Sequence, residues 1–139
     1  MQLSSKRVAA VDAPIIPTIA QLVREYPGTI SLGQGVVNYG PPIQAVANLG
    51  SLLSDSQLNK YQSVFGLPEL LASLEKKLAD ENLIAITPEN QVMVTAGSNM
   101  AFLNAILAVS EPGDEFILPR PFFFNQEMAI RLCGCVPVT

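Results

Sequence analysis

Val92-Met93-Val94-Thr95-Ala96-Gly97-Ser98-Asn99 runs from apolar, β-branched residues into a turn of small ones, and an apolar run from Met100 to Val109 follows at once. This order predicts a buried strand, a tight turn and the start of a helix. Gly97 lets the backbone turn sharply and approach a ligand closely. Ser98 or Asn99 is placed to cap the helix. The first amides of such a helix have no intrahelical acceptor. Together with the positive end of the helix dipole they form a ready anion site. Two readings of these residues stay open: a capped turn that holds nothing, and a cup for a phosphate.

Downstream, the helix from Ser98 to about Ser110 has Asn104 as its main polar residue, so it is predicted to be buried on several sides. Glu111-Pro112-Gly113-Asp114 reads as a loop and Glu115 to Pro119 as a short strand. Phe123 to Cys133 reads as a second helix, with Phe124, Met128 and Leu132 at i, i+4 and i+8 and Gly134 as its stop. Cys135 to Thr139 is the third strand. With Gln91–Thr95 as the first, residues 91–139 alternate strand, helix, strand, helix, strand. Such alternation implies crossover units and a largely parallel sheet. Parallel sheets are covered on both faces. Three strands and two helices do not achieve that, so the sheet is expected to be unfinished.

Upstream, the turn Thr87-Pro88-Glu89-Asn90 leads into the first strand. Before it stands the clearest helix of the chain. Leu67, Leu70, Leu71, Leu74 and Leu78 fall at helical spacing, and Glu75, Lys76 and Lys77 face away. Ser54 to Asn59 is polar and reads as a turn. Ile43, Val46, Ala47, Gly50 and Leu53 make a weaker helical stripe. Gly33 to Pro42 is a glycine-rich loop closed by two prolines. A short helix with Pro17 at its first position carries Ile19, Ala20, Val23 and Tyr26, and Pro27-Gly28 stops it. Thr29 to Leu32 is extended, and residues 1–13 form an arm without periodic signal.

The 139 residues suit one domain, 49% apolar and only 14% charged. That charge is low against roughly 25% in soluble domains, so part of the surface is expected to be covered. A net charge of −4, a pI of about 4.6 and no Lys/Arg block argue against a nucleic-acid partner. With no histidine, His-dependent triads and His metal sites are excluded within the chain, and no metal site is expected. No apolar run is long enough for a membrane span. The N-terminus is too short and interrupted for a signal peptide. No membrane partner is expected, and the cytoplasm is the expected location. Cys133 and Cys135, in a C-x-C, read as small core residues.

Five motifs occur in order: Gly33-Gln34-Gly35; Tyr61 with Gly66; Thr95-Ala96-Gly97-Ser98-Asn99; Glu111-Pro112-Gly113-Asp114-Glu115; and Pro121-Phe122-Phe123. Over residues 30–139 the chain resembles the N-terminal part of class I/II aminotransferases, the fold-type I pyridoxal-phosphate enzymes. The aspartate and kynurenine/glutamine aminotransferase branches look most similar. The resemblance implies an α/β fold: a partial three-layer large domain (βαβαβ) preceded by an N-terminal helical segment. It implies residues 1–50 as arm and small-domain segment, and residues 51–139 as the first part of the cofactor-binding large domain.

By the same resemblance, Gly97, Ser98 and Asn99 match the turn that binds the phosphate of pyridoxal 5'-phosphate. Phe123 matches the aromatic residue that stacks on its pyridine ring, which suits offset stacking. Phe122 and Phe124 are read as core. Tyr61 matches a tyrosine that reaches the phosphate of the neighbouring subunit in a homodimer, and Gly35 a glycine facing the substrate carboxylate. The implied reaction moves an amino group from an amino acid to a 2-oxo acid. Val36-Val37-Asn38-Tyr39 departs from the Pro-Asp-Phe that many relatives carry, and Leu71 stands where an arginine is frequent. None of Lys6, Lys60, Lys76 and Lys77 lies in the family's Schiff-base lysine motif. That lysine, the aspartate on the ring nitrogen and the carboxylate-binding arginine are expected beyond Thr139. No catalytic residue is therefore assigned in this chain, which is expected to be inactive alone.

The alternative is a non-catalytic dimerising or ligand-binding module built on the same half-domain, with the Ser98–Ser110 helix as its interface. A dinucleotide fingerprint over Gly33, Gly35 and Asn38 fails, because the third glycine is absent and Pro41-Pro42 breaks the helix that should follow.

Overall fold

The structure, a computed structural model, describes residues 5–33, 35 and 37–139. Residues 1–4, Gln34 and Val36, which carry parts of the expected arm and glycine-rich loop, lie outside the described residues. The chain gathers into two units, Met1–Val36 with Thr95–Thr139, and Val37–Val94.

The first unit opens with α1 (Lys6–Ala9), capped by Ser5, whose Oγ accepts from the Val8 amide at 3.3 Å. No periodicity announces this turn, and the arm was expected to have none. α2 (Ile15–Glu25) begins two residues before Pro17. Proline is tolerated there because first-turn amides have no intrahelical acceptor to lose. Ile16, Ala20 and Val23 form its half-buried stripe, and the chain leaves it through Gly28 at φ 94°.

α5 (Ser98–Val109) leads into β1 (Glu115–Ile117), α6 (Phe124–Leu132) and β2 (Val136–Val138). β1 and β2 pair in parallel, with Glu115 opposite Val136, Phe116 opposite Pro137 and Ile117 opposite Val138. A parallel pair needs a crossover, and α6 supplies it. Gly134 ends α6 at φ 79°, as its position predicts. The core is Ile106 of α5, Leu118, Ile130 of α6 and Cys135, with Phe102, Phe116, Phe122, Ala129 and Cys133 packed around it. The Cys135 thiol donates to the Glu111 carbonyl at 3.4 Å and lies 3.5 Å from Ser110 Oγ, tying the α5–β1 loop to the start of β2. Burial pushes the half-buried Cys133 thiol above its ordinary range. Cys135 adds to the shift, and Arg7 opposes it.

The structure departs from the sequence pattern at two elements. Gln91–Thr95 forms no ladder among the described residues, so the sheet has two strands rather than three. A strand exists by its neighbour, and the Val94 amide instead donates to the Phe65 carbonyl at 2.8 Å. Nor is α5 covered on several sides. It buries Ile106, while Leu107 and Val109 stand 63% and 75% exposed. An apolar helix turns only the face that meets α6 and the sheet away from water.

In the second unit, α3 (Ile43–Ser54) starts after Pro42, and α4 (Pro68–Asn82) carries Pro68 in its first turn. Leu71, Leu74 and Leu78 are half-buried, whereas Leu70 is exposed. Lys76–Asp80 and Lys77–Glu81 pair on the solvent side at i,i+4 spacing. Exposed pairs of this kind contribute about 0.3–0.5 kcal/mol each. Gly66 holds φ 127°, and a Cβ there would stand 2.8 Å from Cγ2 of Val94. That close approach is what lets Val94 reach Phe65.

Candidate cofactor site

Thr95 to Asn99 builds the turn at the head of α5. The Gly97 amide donates to the Thr95 carbonyl at 2.8 Å, and Thr95 Oγ1 donates to the Gly97 carbonyl at 3.0 Å. Gly97 sits at φ 81°, ψ 172°, a region that side chains avoid. Gly97 itself takes the cap position, and neither Ser98 nor Asn99 caps the helix with its side chain. The amides of Ser98, Asn99 and Met100 have no backbone acceptor among the described residues. A Cβ built on Gly97 would meet nothing within 4 Å, and Ser98, Asn99 and Met100 are exposed.

Asn99 lines a hollow with Leu103 of α5 and with Asn125, Met128, Ala129 and Leu132 of α6. The head of α5 thus lies beside the first turn of α6. Phe123 caps α6 and remains 48% exposed, with its ring centroid 4.8 Å from that of Phe124 and the planes tilted by 58°. Phe122 is half-buried against the core, as expected. Gly35 is exposed in the same unit. Tyr61 belongs to the other unit and is fully exposed. Arg120, the first cation after the cup in sequence, donates from Nη2 to Thr139 Oγ1 past the end of β2. Lys76 and Lys77 are engaged on α4, and Lys60 Nζ donates to Gln57 Oε1 at 3.0 Å. The stapling role of Thr95 escapes a reading by residue type alone. The hint was its place two residues before the glycine.

Residues 27–139 match the family model described as aminotransferase class I and II. The chain belongs to this family. An aromatic aminotransferase of Arabidopsis thaliana is 38% identical over 130 residues, which are 94% of this chain and 32% of the relative. Kynurenine–oxoglutarate transaminase 3 of Bos taurus is 30% identical over 97% of this chain and 30% of its own length. Among solved structures, an aspartate aminotransferase from Rhizobium meliloti superposes with a TM-score of 0.84 at 25% identity, covering 99% of this chain and 35% of that one. The fold class is that of the fold-type I aminotransferases. The chain spans about a third of the length of the relatives it matches.

Class I and II aminotransferases generally depend on pyridoxal phosphate. The residues present suit its phosphate and its ring. Amides without a backbone acceptor among the described residues, at the head of a twelve-residue helix, suit a dianion, and a half-exposed phenyl ring suits a flat heteroaromatic one.

Proposed function

We propose that this chain carries the phosphate cup and ring platform of a pyridoxal-phosphate-dependent aminotransferase that moves an amino group from an amino acid to a 2-oxo acid. The observation that carries the reading is the Gly97 turn: a positive φ, a doubly bonded Thr95–Gly97 staple, and three exposed residues whose amides have no backbone acceptor among the described residues. When bound, the cofactor supplies an electron sink for cleavage next to the amino group. The amides of Ser98, Asn99 and Met100 orient its phosphate, and Phe123 holds its ring flat. Gly35 faces the substrate carboxylate. Tyr61 reaches the phosphate of the partner subunit in a cytoplasmic homodimer. The division at residue 50 into a small-domain segment and the first part of the large domain belongs to the same reading.

None of the four lysines stands in the family's lysine motif, so the chain by itself binds the cofactor weakly and transfers no amino group. The test is a titration with pyridoxal 5'-phosphate, followed by borohydride reduction and mass measurement. Weak binding is expected that inorganic phosphate displaces, that Gly97→Val abolishes and that Phe123→Ala weakens about tenfold. A single reduced adduct on one lysine, with amino transfer to a keto acid, overturns the inactivity. No binding at all turns the reading toward a non-catalytic dimerising module, which the exposed Leu107 and Val109 of α5 favour.

A further inference from the structure

The N-terminal arm lies along α6. α1 packs against α6, and the charge of Arg7 opposes the upward shift of the Cys133 thiol just past the C-terminal end of α6. A cation there suits the negative pole of the helix. Farther along the arm, Val11, Ala13 and Ile15 share a small hollow with Phe124 and Met128. α1 and the residues that follow it thus both border α6. Four residues are too few to hold a helix unaided, so α1 is ordered by what it packs on. Asp12 of the arm and Glu127 and Arg131 of α6 also line the hollow, and Arg131 donates from Nε and Nη2 to Glu127 Oε1 at 3.1 and 2.8 Å.

Phe124 is the link to the candidate site. It lines the arm hollow, and its ring lies 4.8 Å from that of Phe123. Phe123 has no other aromatic partner among the described residues and is half exposed. A ring with so much free surface turns readily unless a neighbour blocks it. We propose that residues 11–15 form a positioning strap: they hold Phe124, and Phe124 fixes the plane of the Phe123 ring for stacking on a flat aromatic ligand. The identity of that ligand, the cofactor's pyridine ring, rests on the proposed function. The hold of the strap on Phe124 does not.

The experiment compares the full chain with the double variant Val11→Ser/Ile15→Ser and with Phe124→Leu, which keeps apolar bulk but loses the ring. Hydrogen exchange is followed in the first turn of α6 and, as a control, in α4 of the other unit. Binding is read with pyridoxal 5'-phosphate. Both variants should exchange about threefold faster or more at the head of α6 with α4 unchanged. They should also bind the probe about fivefold more weakly. Phe124→Tyr, which keeps the ring, should restore both readings. Unchanged exchange at α6, an equal rise in α4, or failure of Phe124→Tyr to restore overturns the strap. Faster exchange with undiminished probe binding overturns its action on Phe123. Faster exchange with no probe binding even by the parent leaves the strap standing and removes the cofactor reading instead.

Discussion

Leu83 closes α4 at φ 57°, ψ 32°, in the left-handed region, with 89% of its surface exposed. Its amide and that of Ile84 both donate to the Leu78 carbonyl, so the helix end requires this conformation. The left-handed region costs an L-residue about 1–2 kcal/mol. An exposed side chain returns little of that. Gly66 and Gly97 meet similar demands with the residue suited to them. Leu83→Gly is therefore expected to stabilise its unit by about 0.5–1 kcal/mol, after allowance for the greater freedom of glycine in the unfolded chain. A urea titration reads this as a higher midpoint at unchanged slope. A lowered midpoint would mean that the Leu83 side chain makes packing contacts worth more than the strain.

Among the elements, α6 and α5 differ in what they bury. Ile130 of α6 is wholly buried, whereas Leu107 of α5 is mostly exposed. Ile130→Ala should cost about 2–5 kcal/mol. Leu107→Ala should stay within about 0.5 kcal/mol. Equal losses in chemical denaturation would show that the exposed side of α5 is covered in solution. The α2 and α4 helices, α6 with its Gly134 stop, and the strand–helix–strand order of 115–138 were legible because their periodicity and punctuation are local. The ladder expected of Gln91–Thr95 was not. Whether an apolar segment pairs depends on a neighbour distant in sequence, and here Val94 finds Phe65. α5 is less covered than its composition suggests for a related reason: apolar residues all round a helix state what it tolerates, not what lies beside it. α1 left only one sign, Ser5. At the candidate site the Gly97 turn was readable, but its cap was not. Side-chain preference ranks serine and asparagine above glycine, and the positive φ decided otherwise.

In the molecule as a whole, burial is uneven. Ile106, Leu118, Ile130 and Cys135 all lie within residues 95–139, and no described residue of Val37–Val94 is buried to the same degree. Regions poor in buried apolar contacts open at lower free energy. No described helix is long and apolar enough to cross a membrane. Cys133 and Cys135 flank Gly134. The first is half-buried and the second 5% exposed, inside the core and bonded to the α5–β1 loop. Two thiols so close in sequence and so different in access make an unengineered clock. An alkylating reagent should add one label quickly at Cys133. That step should quicken as rising pH forms thiolate at this upward-shifted group. The second label should wait for β2 to lift away from Glu111, so the interval between the two mass increments times the opening of the core. Two labels arriving together would mean that Cys135 is not sealed.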